Sequence, residues 1–208
     1  MDPQITVRQA DPSDAATAAR LIYLTMGSLA DYLLGLGDPA RALMVLGGLF
    51  GRPRNRFSYQ FTDLVVAGGD VAGLLTSYPE EEMRRLDLGM GRHLIRILGL
   101  SDFLRCARRS LTLANVKEAA AGEYFINSVA VLPEFRRQGI ATRLMALAEA
   151  KARQHGLDRC SLSVDVDNDT ARRLYERLGY QVVDTMHWPR LQRLVGHSGL
   201  HRMVKPLA

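Results

Sequence analysis

The sequence predicts a single α/β domain, residues 1–208, in which a mixed β-sheet carries helices on both faces. Three observations support this class. Residues 59–78 read as two strands joined by a short glycine turn, residues 123–178 alternate strand, helix, strand and helix, and no internal repeat or second domain is visible.

The composition excludes several classes of protein. With 47% hydrophobic and 24% charged residues, the chain has the balance of a soluble globular domain, and no apolar run approaches the roughly 20 residues that span a bilayer. Residues 1–4 lack the apolar stretch of a signal peptide, so we expect a cytoplasmic protein without a membrane partner. Cys106 and Cys160 show no paired spacing, which predicts neither a disulfide framework nor a metal site.

The charge of the chain favours anionic partners. The formal net charge is +5 and the isoelectric point is about 9.5. Nucleic acid is one such partner, but the arginines between residues 84 and 109 are interspersed with acids between residues 80 and 118. Such a mixture is typical of a solvated surface, so a nucleic-acid-binding module is the less favoured reading.

The N-terminal half alternates strand and helix patterns. Its apolar periodicity predicts strands at 5–10, 59–67 and 71–78 and helices at 15–26 and 29–50, the second helix being broken at 35–39. Asp11 or Ser13 can cap the first helix. Residues 80–121 then interrupt the strand pattern, and their composition predicts a helical segment.

The C-terminal half has a more regular pattern. It predicts strands at 123–132, 160–166, 180–186 and 202–207 and helices at 137–155 and 168–178. In the first of these helices, Ile140, Leu144, Leu147 and Ala148 share one face. Gly156 ends it as a C-terminal cap.

The loop between the strand at 123–132 and the following helix is the strongest candidate site. A strand, a tight glycine loop and a helix start form an anion cradle, because the first helical N–H groups have no partner and the helix dipole is positive there. Glycine lets the backbone approach the anion closely. The candidate phosphate-binding residues are Arg136, Arg137, Gln138, Gly139, Ile140, Ala141 and Thr142. The alternative is an ordinary turn with solvated arginines.

Two motifs together resemble a known family. Arg136-x-x-Gly139-x-Ala141 resembles the pyrophosphate loop of the GNAT superfamily of N-acetyltransferases, and Asn168 to Tyr180 is similar to that family's second motif. The resemblance covers residues 123–187, and Met203 to Leu207 looks like the family's last strand. It implies the acyl-CoA N-acyltransferase fold, with about seven strands flanked by helices. The helical insertion at about 80–121, between strands three and four, departs from the family pattern, and we expect it to shape the acceptor side.

The resemblance implies acetyl-CoA as co-substrate and no metal. It places the pyrophosphate on the loop and the pantetheine arm along Val129, Ala130 and Val131, with backbone groups pairing like an extra strand. The alternative for these three residues is a core position, and both can hold. Asn168 matches the asparagine that contacts the cofactor, with a helix cap as its alternative role.

The resemblance also suggests two catalytic residues. Tyr175 matches the tyrosine beside the thioester sulfur. Proton transfer from a phenol of pKa about 10 to a thiolate whose thiol has a pKa of about 8.5 is unfavourable by roughly 2 kcal/mol. A hydrogen bond to sulfur is therefore the safer role, and a packed core tyrosine is the alternative. Glu123 is the candidate general base, with an exposed carboxylate as the alternative. Ser163 stands where some members carry an acid, and Asp165 lies near it.

These features predict an N-acetyltransferase that moves acetyl from acetyl-CoA to a small-molecule or peptide amine by direct attack in a ternary complex. A backbone N–H at Val129 or Val131 would stabilise the oxyanion. A non-catalytic acyl-CoA sensor and a transferase for longer acyl groups remain open, as does a homodimer. Arginines in the insertion and in residues 27–56 hint at an acidic acceptor. The histidines show no metal-ligand spacing. His187 with Trp188 ends the sixth strand and either faces the acceptor cleft or makes a simple edge contact, which is the favoured reading.

Overall fold

One seven-stranded sheet organises the molecule. Its strands are β1 (Ile5–Gln9), β2 (Thr62–Ala67), β3 (Asp70–Pro79), β4 (Tyr124–Val131), β5 (Arg159–Asp165), β6 (Gln181–His187) and β7 (Gly199–Pro206). In the computed structural model, which describes residues 5–113 and 116–207, they lie in the order β1-β2-β3-β4-β5-β7-β6. The prediction about residues 1–4 falls outside the described residues.

Seven helices accompany the sheet. They are α1 (Ala15–Met26), α2 (Ser28–Leu33), α3 (Pro39–Phe50), α4 (Met83–Ser110), α5 (Ile140–Gln154), α6 (Asp169–Arg177) and α7 (Pro189–Val195), as far as the described residues go. Local sequence explains where α3 begins. The Asp38 carboxylate accepts from the N–H groups of Ala40 and Arg41 ahead of α3, and Pro39 occupies the first turn, where no N–H is needed.

The core lies on both faces of the sheet, as the sequence predicted. Neighbouring residues of β2 divide between the faces: Leu64 packs with α1 and α3, whereas Val65 packs with α5. Among the described strands only β4 and β5 run parallel, and α5 supplies the crossover that a parallel pair requires. The mixed sheet with flanking helices is confirmed.

The insertion is helical, as expected, and consists of two helical segments that meet at a kink. α4 runs from Met83 to Ser110 and breaks at Gly99, where φ is 75° and ψ is 167°. It buries Leu86, Leu94 and Cys106, and it contacts α2 and α3. The insertion therefore adds a wall beside the first helices and not a separate unit.

Several element bounds differ from the prediction, since β2 begins at Thr62 and β7 at Gly199, and two differences have a clear physical reason. α5 begins at Ile140 and not at residue 137, because Arg137 and Gly139 have positive φ angles of 63° and 74° that no helix accommodates. Between β6 and β7, where the sequence analysis predicts no helix, the chain forms α7, with Pro189 in its first turn and Gly196 at its end. Within the described chain, no helix combines the length and apolar character that crossing a membrane would need.

Candidate active site

The site begins where β4 and β5 separate. The two strands pair only from Tyr124 to Ile126 with Cys160 to Leu162. Asn127 is an extra residue in β4, since Thr76 pairs with Ser128 and Ser77 with Ile126. Such a bulge bends the strand and increases its twist. Beyond it, residues 127–131 and 163–165 border a wedge-shaped gap.

Backbone groups of β4 face this gap. The N–H of Leu132 donates to Ala72 O in β3 at 2.9 Å. Because alternate residues of a strand direct their N–H groups to opposite edges, Val129 and Val131 direct theirs away from β3 and toward the β5 side. Arg136 Nε donates to Val131 O at 3.3 Å, which shows that this carbonyl also points away from β3. The gap therefore offers the free edge of a strand.

The loop after β4 forms the predicted anion cradle. The first backbone bond of α5 runs from Arg143 N to Gly139 O at 3.1 Å. Among the described residues, no acceptor takes the N–H groups of residues 137–142. The alternation of left-handed residues at Arg137 and Gly139 lets several of these N–H groups converge.

Gly139 suits a close approach for two separate reasons. Its φ of 74° lies in the left-handed region that glycine enters without penalty. A Cβ built there would meet nothing within 4 Å. The space in front of the loop is thus open to a ligand, and the loop has the shape that the sequence predicted.

One cavity of about 1300 Å³ joins the gap to the loop. Ten of the predicted cofactor-binding residues line it: Val129, Ala130, Val131, Arg136, Arg137, Gly139, Ile140, Ala141, Thr142 and Asn168. Gln138, in the same loop, is not among its lining residues. Asn168 also caps α6, because its Oδ1 accepts from Ala171 N at 3.1 Å. The two roles proposed for Asn168 are therefore compatible.

Tyr175 on α6 lines the same cavity. Its ring lies 6.2 Å from the ring of Tyr180, and its hydroxyl has no hydrogen-bond partner in the part of the chain that is described. Burial raises the pKa of Tyr175 to about 12. Against a thiol pKa of about 8.5, complete proton transfer to a thiolate would be uphill by about 5 kcal/mol. The phenol is thus suited to donating a hydrogen bond and not to losing its proton.

Comparison with known proteins identifies the family. Residues 50–180 match the model of the acetyltransferase (GNAT) family, which is more than half of the chain. The chain belongs to this family. Its fold is similar to that of an acetyltransferase crystal structure, with TM-score 0.71 and 23% identity over 98% of this chain and 100% of that chain.

Two further structures share the acetyltransferase fold. The N-acetyltransferase from Staphylococcus aureus Mu50 has TM-score 0.73 and 22% identity, over 96% of this chain and 99% of that one. A chain of the NatC complex bound to Gag peptide and CoA has TM-score 0.55 and 16% identity, over 99% of both chains. At these identities the similarity establishes the fold alone.

Glu123 occupies a different environment from the one predicted. Its side chain is buried, is bonded to the guanidinium of Arg202, accepts from Ala120 N at 2.8 Å, and is not among the cavity-lining residues. Burial alone would raise the pKa of Glu123, but the bond from Arg202 and the Ala120 N–H hold it below its ordinary value. Neither the exposed carboxylate nor the general base of the sequence analysis fits these surroundings.

The part of the cavity away from the loop is an apolar chamber. Side chains of α2 and α4 line the cavity opposite the loop: Leu29, Leu33, Met90, Leu94, Phe103 and Cys106. Its charged end holds Arg56, which pairs with Asp87 and Glu118. None of the described insertion arginines lines the cavity. The hint of an acidic acceptor rested on arginines of the insertion and of residues 27–56, and among these described arginines only Arg56 lines the cavity, with its guanidinium already paired.

Three further cavity residues come from the C-terminal half. Asp165 ends β5, Trp188 precedes α7, and His197 follows it. Sequence reasoning named Asp165 and Trp188 only as neighbours of the site and did not place His197 in it. Of the His187-Trp188 pair, only Trp188 lines the cavity. A histidine and an aspartate more than thirty positions apart have no spacing signal, so only the pairing of β5 with β7 could bring them together.

Proposed function

We propose that this acetyltransferase moves an acetyl group from acetyl-CoA to a primary amine by direct attack in a ternary complex. One observation supports this most: a single cavity joins the free N–H groups of the loop, the open edge of β4 and Tyr175. Those features suit a pyrophosphate, an extended arm with amides, and a departing sulfur. The similarly folded NatC structure is bound to CoA.

The residues in the cavity fit the parts of CoA. N–H groups of residues 137–142, with Arg136 and Arg137 beside them, would hold the pyrophosphate. The edge of β4 at Val129 and Val131 would pair with the amides of pantetheine, as in strand addition. Asn168, with its oxygen committed to the helix, keeps its amide N–H₂ for a contact with the coenzyme.

The chemistry follows from this placement. The nitrogen lone pair of a neutral amine forms a bond to the thioester carbonyl carbon, the C–S bond breaks, and CoA leaves as a thiolate. The nitrogen loses a proton to a base and the thiolate takes one up. A backbone N–H at Val129 or Val131 would stabilise the charge on the carbonyl oxygen, and Tyr175 would donate to the sulfur. Holding the two reactants together supplies much of the rate.

The chamber favours an amine carried on an apolar body. Its wall facing the loop is built mainly from aliphatic and aromatic side chains of α2 and α4, and the only guanidinium among the lining residues there, that of Arg56, is already paired with two carboxylates. Burying apolar surface stabilises a complex by about 25 cal/mol per Å². Arylalkyl and alkyl amines should therefore show higher kcat/KM than polyamines or acidic peptides.

A donor-by-acceptor screen tests the proposal. Acetyl-CoA and longer acyl-CoAs are offered with panels of arylalkyl amines, polyamines, amino sugars and peptides, and released CoA thiol is measured. Turnover with acetyl-CoA and an apolar amine supports the proposal. Turnover that rises with acyl-chain length would instead indicate a transferase for longer acyl groups.

Two other results, from this screen together with binding measurements, would contradict the proposal. Tight CoA binding with no turnover against any amine would favour the non-catalytic sensor. Indifference to CoA together with steeply salt-dependent binding of DNA or RNA would favour the nucleic-acid module. Calorimetry with CoA, run beside the screen, separates these two results.

A further inference from the structure

His197 is a buried histidine that lines the active-site cavity. Its side chain is only 6% exposed, and it lies in the short segment between α7 and β7. Its Nδ1 is bonded to Asp165 Oδ2. Its Nε2 has no hydrogen-bond partner in the described part of the chain. Buried polar atoms are nearly always paired, so an unpaired one beside a cavity indicates a place for water or a ligand.

The bond to Asp165 determines what Nε2 can do. A neutral imidazole carries one proton, and the carboxylate takes the Nδ1–H as its hydrogen-bond donor. Nε2 is then left with a lone pair and can accept a proton. The carboxylate also stabilises the imidazolium that results. The arrangement has the chemistry of a general base held by an orienting acid.

The surroundings hold the imidazole in place. The ring of Trp188 lies 5.2 Å from the His197 ring, and Trp188 N donates to Ser198 O at 2.8 Å. Val166 N donates to Gly199 O at 3.0 Å. Gly199 has φ 146°, and a Cβ there would lie 1.9 Å from Met186 O, so only glycine fits this position. The segment that carries His197 is thus fixed from both sides.

The pair also lies on the acceptor side of the sheet. Val164 packs in the cluster that contains α5 and Tyr175. Because successive side chains of a strand point to opposite faces, Asp165 points toward the face that carries α1 and α2. Asp165 lies beyond the last β4–β5 pair, at the wedge-shaped gap. An amine entering from the chamber would therefore reach His197 on one face while Tyr175 lies on the other.

We propose that His197 is the general base of this acetyltransferase, with Asp165 as its positioning residue. Nε2 takes the proton of the acceptor ammonium, directly or through one water, and passes it to solvent after the transfer. The assignment rests on the proposed function and replaces Glu123 in this role. Other titratable groups near the pair are His201 of β7, whose charge acts on Asp165, and Tyr175 of α6, which lines the same cavity.

The test compares pH–rate profiles of His197→Gln, Asp165→Asn and wild type with the best amine from the screen. We expect His197→Gln to lower kcat by about 10²- to 10³-fold and to abolish the acidic limb of the profile. Asp165→Asn should lower kcat by a smaller factor and shift that limb. CoA affinity, measured by calorimetry, should stay within two-fold for both, because neither residue is part of the phosphate loop.

Two further measurements distinguish a base from a structural residue. Free imidazole should restore part of the rate of His197→Ala and leave wild type unchanged. An acceptor amine of pKa below 6, which is already neutral at pH 7, should lose much less rate in the variant than an alkylamine does.

The outcomes separate two failures. If wild type turns over but His197→Gln keeps kcat within two-fold, or keeps its acidic limb with no rescue of His197→Ala by imidazole, the base assignment is wrong and the proposed function stands. If wild type acetylates no amine, the proposed function fails and the assignment fails with it.

Discussion

At the scale of single residues, Tyr175 offers the most direct test of the donor side. Its pKa of about 12 keeps the phenol protonated across the working pH range, so it can only help by donating a hydrogen bond to sulfur. A hydrogen bond to a charged group contributes about 1.5 to 3 kcal/mol. Tyr175→Phe should therefore lower kcat by roughly 10- to 100-fold, with CoA affinity nearly unchanged.

The control for Tyr175→Phe is Tyr59→Phe, because Tyr59 lies outside the cavity lining and its hydroxyl has no role in the proposed chemistry. Steady-state kinetics and calorimetry of both variants give the comparison. Unchanged turnover in Tyr175→Phe would remove this hydroxyl from the chemistry.

Glu123 contributes to the stability of the fold. With Arg202 only 9% exposed, removing the carboxylate charge leaves a buried guanidinium without its counter-ion. Loss of one partner of a buried pair typically costs about 3 to 5 kcal/mol. Glu123→Gln should lower the free energy of unfolding by about that amount in urea titrations, while kcat per folded molecule stays within two-fold.

The double variant Glu123→Gln/Arg202→Met is the matched control, because it removes both charges from the interior and should be less destabilised than Glu123→Gln alone. If the kcat of Glu123→Gln remains low after correction for the folded fraction, Glu123 takes part in the reaction.

At the scale of elements, the loop between β4 and α5 can be tested through one glycine. Gly139→Asp places a carboxylate where the N–H groups converge and should weaken CoA binding by more than ten-fold through charge repulsion. Gly139→Ala is the control: it meets no atom within 4 Å, and its left-handed backbone costs only about 1 to 2 kcal/mol. Calorimetry should rank the CoA affinities as wild type, Ala, then Asp. Equal affinity for all three would place the phosphates elsewhere.

Sequence reasoning was most successful where function and fold share one local segment. The loop at 136–142 combines a glycine and a helix start within seven residues, shortly after the end of β4, so its shape follows from neighbours in the chain. His197 is different. Its partner Asp165 is reached only through the β5–β7 pairing, and α7, which sets the segment before it, has seven residues and little periodicity. Long-range pairing of this kind leaves no local pattern.

The burial of Glu123 could not be predicted from the sequence for the same reason. Its partner Arg202 lies 79 positions away, and the sequence shows a carboxylate at the start of a strand and nothing about what covers it. The helical nature of residues 80–121 could be read from composition. That the helix would line a chamber could not, because this depends on how α4 rests against α2 and α3.

At the scale of the whole molecule, stability should fall in acid in a defined window. The pKa of Glu123 in the fold lies below its unfolded value of about 4.3, so its contribution is present above that value and is lost as the pH falls through the folded pKa. The pKa of Asp165 is lowered in the same way: burial would raise it, but the bond from His197 outweighs that effect.

Urea midpoints measured between about pH 6 and pH 2 should therefore fall faster in wild type than in Glu123→Gln, so that the two curves converge. Parallel curves would show that the carboxylate has an ordinary pKa in the fold. A homodimer stays a prediction from the sequence, which the molecular mass of the protein in solution would test. A cytoplasmic location also stays a prediction from the sequence.

The short pairing of β4 with β5 has a mechanical consequence. Three residues on each strand join the N-terminal four strands to the C-terminal three, so the sheet is weakest along that line. A ligand whose amides hydrogen-bond with the β4 edge would stabilise the sheet where β4 and β5 separate. Ligand at 100 times its Kd would raise the free energy of unfolding by about 2.7 kcal/mol. Deuterium uptake at Val129 and Val131 should slow on adding CoA, and the two halves of the molecule should then melt as one.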